Sequence, residues 1–159
     1  PVDLAVVFFD GIDALLANDD LLRHLRVVAG NLNPDGLYVI DCTHPGKCSY
    51  HHYGDYPYSG ERDGVKVDIF WATNQPVIDP ITGVAEVGLQ IHIRRNGHVE
   101  IIKDTARERC FTPQEINLLT QLSGAFRIVA WYGDYDTAQP LDNTARSHRM
   151  IAILQKHPD

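Results

Sequence analysis

Residues 2–15, V-D-L-A-V-V-F-F-D-G-I-D-A-L, decide how this chain is read. An apolar run of strand length stops abruptly at Asp10-Gly11, a pair that favours turns. An amphipathic segment follows over residues 18–32, N-D-D-L-L-R-H-L-R-V-V-A-G-N-L, then the turn N-P-D-G and a second apolar run, L-Y-V-I-D-C-T, over 37–43. The succession predicts strand, helix, strand. Strands so continuously apolar belong inside an α/β sheet with both faces covered, where they run parallel and connect by a right-handed crossover. Ligands of such sheets bind beyond the carboxyl ends of the strands. Phe9 to Asp13 and Asp41 to His44 are therefore the first candidate site residues.

The helix is expected from about Asp19 to Leu32, capped by Asn18 or Asp19, with Leu21, Leu22, Leu25, Val28 and Leu32 toward the sheet. Pro34 and Gly36 should end it and turn the chain into a strand from Leu37 to Cys42. From Thr43 to Gly64 periodicity vanishes, and four tyrosines and three of the eight histidines crowd the segment, which marks a lid or binding loop. Three alternating strands then form an antiparallel meander, carried by Val65, Val67, Ile69 and Trp71, by Val87, Leu89, Ile91 and Ile93, and by Val99 and Ile101. Asn96-Gly97 predicts the tight hairpin between the last two. The polar face of the meander presents Lys66, Asp68, Gln90, His92 and Arg94. A second helix starts at Thr112 with Pro113 at its first position and Glu115 completing a capping box, buries Ile116, Leu119 and Leu122, and stops at Gly124. A strand from Phe126 to Tyr132, a polar loop and a last antiparallel strand from Met150 to Leu154 finish the chain.

At 159 residues and 44% hydrophobic, the sequence suits one domain with a sizeable core. Its net charge of -7, with no basic cluster beyond Arg94-Arg95, argues against a nucleic-acid groove or an anionic membrane surface. Three cysteines, and neither a leader nor a long apolar span among these residues, point to a reduced, cytoplasmic setting. Pro1 leads directly into a strand, which predicts processing or a start inside a larger protein.

The order of elements, together with particular residues, resembles the C-terminal half of class I S-adenosylmethionine-dependent methyltransferases. V-D-L-A-V-V-F-F-D-G-I-D-A-L is similar to that family's fourth strand and following loop, and residues 21–41 to its helix, L-x-P-G-G turn and fifth strand. R-C-F-T-P-Q-E-I-N-L-L-T-Q-L-S-G-A-F-R-I-V-A-W-Y-G-D-Y-D, over 109–136, is similar to its last helix and sixth strand, and R-S-H-R-M-I-A-I-L-Q-K to its seventh. The family's glycine-rich loop after the first strand, and the acidic residue after the second, have no counterpart here. The resemblance implies a single partial methyltransferase domain over 1–159 with a Rossmann-like α/β sheet, a βαβ core plus an α-β-β unit, interrupted by a β meander over 65–104. It implies S-adenosylmethionine as cosubstrate and a small molecule as methyl acceptor. A half-sheet exposes the flank of its first strand, so a homo-oligomer or association with a missing N-terminal half is expected.

On that resemblance, Phe9, Asp10 and Gly11 occupy the loop that adjoins the cofactor and the transferred methyl, and Thr43 and His44 the place of acceptor contacts. Asp10 and His44 are the acid-base candidates. Read locally, Asp10-Gly11 also suffices as a turn, and His44 as an exposed loop histidine. Tyr50, His51 and Tyr53, with Arg94 from the meander, are candidates for lining the acceptor pocket. Cys42, His44, Cys48, His51 and His52 invite a zinc reading, but their spacing fits no standard knuckle and no metal is assigned. The competing functional class is a non-catalytic binding or assembly module derived from such a half.

Overall fold

The computed structural model of the protein describes residues 1–47 and 58–158. In chain order the regular elements are β1 (Val2–Val7), α1 (Asn18–Asn31), β2 (Leu32–Thr43), β3 (Tyr58–Arg62), β4 (Val65–Trp71), β5 (Val84–Arg95), β6 (His98–Arg109), α2 (Pro113–Ser123), β7 (Phe126–Tyr132) and β8 (Arg149–Lys156). They divide into two units, residues 1–48 with 109–159, and residues 49–108.

In the first unit the sheet order is β1-β2-β8-β7, with β1 and β2 parallel and the other pairs antiparallel. Ala5, Tyr38 and Leu154 share one face of the sheet, as do Val7, Ile40 and Ala152. That face packs with Leu21, Leu25 and Ala29 of α1 and Ile116 and Leu119 of α2 into one core. Each fully buried large aliphatic side chain there contributes roughly 1.5–3 kcal/mol of transfer free energy. The opposite face is not covered by either helix. Leu4 and Val6 lie there, 55% and 47% exposed, beside half-buried Leu37 and Val39. β1 is therefore an edge strand with one apolar face open.

The capping box of α2 forms as its residues dictate. The Thr112 hydroxyl accepts from the Glu115 N–H, the Glu115 carboxylate accepts from the Thr112 N–H, and Gly124 closes the helix at φ 68°. The buried stripe sits slightly round from expectation. Ile116, Leu119, Thr120 and Ser123 face inward while Leu122 is exposed, because the small Thr120 and Ser123 side chains occupy the inner face and Ser123 donates to the Thr120 carbonyl. α1 begins one residue earlier than expected, with Ala17 at its cap, because the Asn18 side chain accepts from Arg109 instead of closing the helix end. α1 also runs straight into β2, so the N-P-D-G turn becomes an irregularity inside the strand, between the Val2–Leu32 and Leu4–Leu37 pairings.

The second unit is a four-stranded antiparallel meander, β3-β4-β5-β6, one strand more than the sequence pattern suggests. β3 has every residue exposed, so it carries no alternation; the signal for it was Asp63-Gly64, whose φ values of 52° and 72° make the hairpin to β4. Asn96-Gly97 makes the expected turn, with φ 49° and 76°. Asp68 lies opposite His92 and Lys66 opposite Arg94, which gathers the polar residues on one face.

Candidate functional site

The carboxyl ends of the parallel strands β1 and β2 meet at one place in the first unit. β1 stops at Val7, and Phe9 and Asp10 both take left-handed backbone conformations, at φ 54° and 63°. Two successive non-glycine residues in this region are costly and persist only where surrounding bonds hold them. Here the two strand ends brace each other. The Phe9 N–H donates to Asp41 Oδ2 at 2.9 Å, the Asp10 N–H to the Asp41 carbonyl at 3.2 Å, and the Thr43 N–H to Asp10 Oδ1. The turn leaves the Phe9 ring 80% exposed.

Arg149, the first residue of β8, closes the brace. Its Nε donates to Asp41 Oδ1 at 2.7 Å, Nη1 to Asp10 Oδ2 at 3.3 Å and Thr43 Oγ1 at 3.1 Å, and Nη2 to Asp10 Oδ1 at 3.3 Å. Burial opposes its charge, yet the bonds and charges of Asp41 and Asp10 hold the guanidinium further into its protonated form. Tyr135 donates its hydroxyl to Asp41 Oδ2 at 2.7 Å and meets the Phe8 ring edge-on at 6.5 Å. Burial, then the Asp41 carboxylate, push the Tyr135 phenol up to about 12. Two carboxylates share one guanidinium, so the strand ends carry a net negative charge. Cys42, next to Asp41 in sequence but on the core face, is inert: burial and then the Asp13, Asp10 and Asp41 carboxylates push its thiol well above its ordinary value.

The loop from Gly133 to His148 brings Tyr135 and Arg149 to this place. Gly133 accepts from the N–H groups of both His148 and Arg149 at 2.8 Å, and a side chain at Gly133 would collide with the buried Ser147 hydroxyl, 2.2 Å from the position of a Cβ. His44 is locked to the same loop. Its Nδ1 accepts from the Gly46 N–H at 3.0 Å, so Nε2 carries the proton and donates to the Asp142 carbonyl at 2.9 Å.

No family model matches the chain, and no curated relative does. Solved structures do. An S-adenosylmethionine-dependent methyltransferase from Clostridium acetobutylicum superposes with TM-score 0.74 at 15% identity, over 98% of this chain and 58% of its own. The sugar N-methyltransferase KedS8 from Streptoalloteichus gives 0.67 at 16% identity, over 99% and 56%. CalS10, an amino pentose methyltransferase from Micromonospora echinaspora solved with S-adenosylmethionine bound, gives 0.65 at 13%, over 97% and 58%. The fold is that of part of a class I S-adenosylmethionine-dependent methyltransferase. The chain spans less than two thirds of the length of these methyltransferases, and its own sheet accounts for the strand-helix-strand and helix-strand-strand segments on which the sequence resemblance rests.

Of the residues singled out from sequence, this part of the methyltransferase fold brings Phe9, Asp10 and Gly11 together with Thr43 at the strand ends, and His44 follows directly. Both His44 ring nitrogens are engaged, whereas Asp10, bonded to the Thr43 N–H and Arg149, stays one-quarter exposed. Arg94 belongs to the meander unit, where it pairs with Asp68; the Ser59 hydroxyl first, then Arg94 and Lys66, hold that carboxylate below its ordinary range. Tyr50, His51 and Tyr53, and Cys48 and His52 of the zinc reading, lie outside the described residues. Among the described residues no group of His, Cys, Asp or Glu is arranged to hold a metal. Sequence reasoning missed Arg149 and Tyr135. The available signal was an arginine heading the apolar strand M-I-A-I-L, because a charge entering a buried strand requires a partner.

Proposed function

We propose that this chain is the acceptor-side part of an enzyme that transfers a methyl group from S-adenosylmethionine to a small molecule. The observation that carries the reading is the Phe9-Asp10 turn at the joined ends of β1 and β2. It combines backbone strain with an exposed aromatic ring at the position where open α/β sheets receive ligands. In-line displacement at a sulfonium needs alignment and exclusion of water more than proton transfer. Phe9, Asp10 and Gly11 contact the cofactor in this proposal, and Thr43, His44, Tyr50, His51, Tyr53 and Arg94 serve the acceptor. The open face and free edge of β1 are where a cofactor-holding half, or a second copy of the chain, completes the sheet. A cytoplasmic setting suits the buried free thiol of Cys42, and no helix among the described residues is long and apolar enough to cross a membrane.

One observation favours a second reading. With both His44 ring nitrogens engaged and Asp10 paired to Arg149, the chain also suits a non-catalytic binding or assembly module built on a methyltransferase half. Calorimetric titration with S-adenosylhomocysteine, on this chain and on the complete gene product, tests the first reading. Binding by the complete product supports it, and absence of binding by both refutes it. Binding without methyl transfer to any amine or hydroxyl acceptor in a small-molecule panel would select the second.

A further inference from the structure

We infer that Arg149 is a positioning residue for the Phe9-Asp10 turn, acting through Asp41 and Asp10 to hold the backbone that presents Phe9. This deepens the methyltransferase reading and rests on it for what the turn contacts.

Charge and connectivity assign the role. Asp41 is fully buried and supplies two of the bonds that fix the turn, one from its carboxylate to the Phe9 N–H and one from its carbonyl to the Asp10 N–H. Asp10 supplies the return bond from Thr43. Both carboxylates must therefore sit side by side, and among the described residues Arg149 is the one cation bonded to both. The other titratable groups facing the pair, Tyr135, Asp13 and Cys42, bring no positive charge. Without the guanidinium, repulsion between Asp10 and Asp41 separates the strand ends. The turn then loses the bonds that keep two non-glycine residues left-handed. A lysine reaches one carboxylate at a time, because it lacks the planar fork that serves both.

The test uses a reporter on the turn. Phe9→Trp is introduced at this exposed position, the protein is labelled with 5-fluorotryptophan, and Trp71 and Trp131 serve as internal controls for the fold. In the parent the new fluorine resonance is sharp and constant from pH 5 to pH 8. Adding Arg149→Met should move it toward the free-indole position at pH 8 with the Trp131 resonance unchanged. Arg149→Lys should shift it part-way, and decides the matter if the Met variant does not fold. A reporter resonance unmoved by either folded variant overturns the proposal. In an otherwise unaltered protein that binds S-adenosylhomocysteine, Arg149→Met should weaken binding by about tenfold or more, and equal affinity would likewise overturn it. If neither the unaltered chain nor the complete gene product binds the ligand, the methyltransferase reading fails, while the fluorine spectrum still decides whether Arg149 holds the turn.

Discussion

Replacing Arg149 by methionine should cost about 2–4 kcal/mol of folding free energy at pH 7.5. The side chain is 17% exposed and faces Asp41, which is completely buried, and Asp10, which is one-quarter exposed. Removing one partner of a buried ion pair costs roughly 3–5 kcal/mol, because a charge is left uncompensated. Two features reduce the figure here. Asp41 keeps its bond from the Tyr135 hydroxyl, and Asp10 retains contact with water. A domain of this size has about 5–15 kcal/mol of stability, so the variant should still fold. Urea denaturation at pH 7.5 measures the effect. Arg23→Met is the control, since Arg23 pairs with Asp20 at the surface and should change stability by no more than about 0.5 kcal/mol. A loss below about 1 kcal/mol for Arg149→Met at pH 7.5 would mean that the two carboxylates do not depend on this cation, and would refute the reasoning.

Other consequences follow from separate contacts. The buried Tyr38 hydroxyl bonds His24 Nε2 at 2.6 Å, and burial lowers the His24 pKa; the unfolded chain therefore binds the proton more readily, stability conferred above pH 6.5 is lost as pH falls through the depressed value, and His24→Gln should flatten that dependence in thermal melts between pH 7.5 and pH 5. Thr112→Ala removes the hydroxyl half of the α2 capping box and should cost about 1 kcal/mol by urea denaturation. Phe9→Ala should leave stability within about 0.5 kcal/mol, since its ring is exposed, yet weaken S-adenosylhomocysteine binding by the complete gene product in calorimetry. Where a second copy completes the sheet, Leu4→Lys on the open face of β1 should weaken that association in light scattering, with the circular dichroism spectrum unchanged.

Features set by near neighbours in the chain are legible in the sequence alone. The capping box of α2 needs only Thr112, Pro113 and Glu115, and the hairpin at Asn96-Gly97 needs only two residues that tolerate positive φ. The parallel pairing of β1 and β2 follows from two unbroken apolar runs. Features that depend on tertiary partners are not legible. Asn18 looks like a cap until Arg109, remote in sequence, takes its side chain. Leu122 fits the helical stripe, but it is the small Thr120 and Ser123 that are buried, and Leu122 is left exposed. β3 has no buried face and hence no alternation to detect. The site divides in the same way. Strand-end position nominates Phe9, Asp10, Gly11, Thr43 and His44, whereas Arg149 bonds Asp10 across a separation of 139 residues and Asp41 across 108, and no local pattern encodes such partners.

The central claim, that the joined ends of β1 and β2 belong to an S-adenosylmethionine site, is tested most directly by photo-crosslinking. The complete gene product is irradiated with methyl-labelled S-adenosylmethionine and the labelled peptides are mapped. Label is expected on the peptide containing Phe9, suppressed by excess S-adenosylhomocysteine and diminished by Arg149→Met. Specific labelling confined to other peptides, or no label that S-adenosylhomocysteine suppresses, would contradict it.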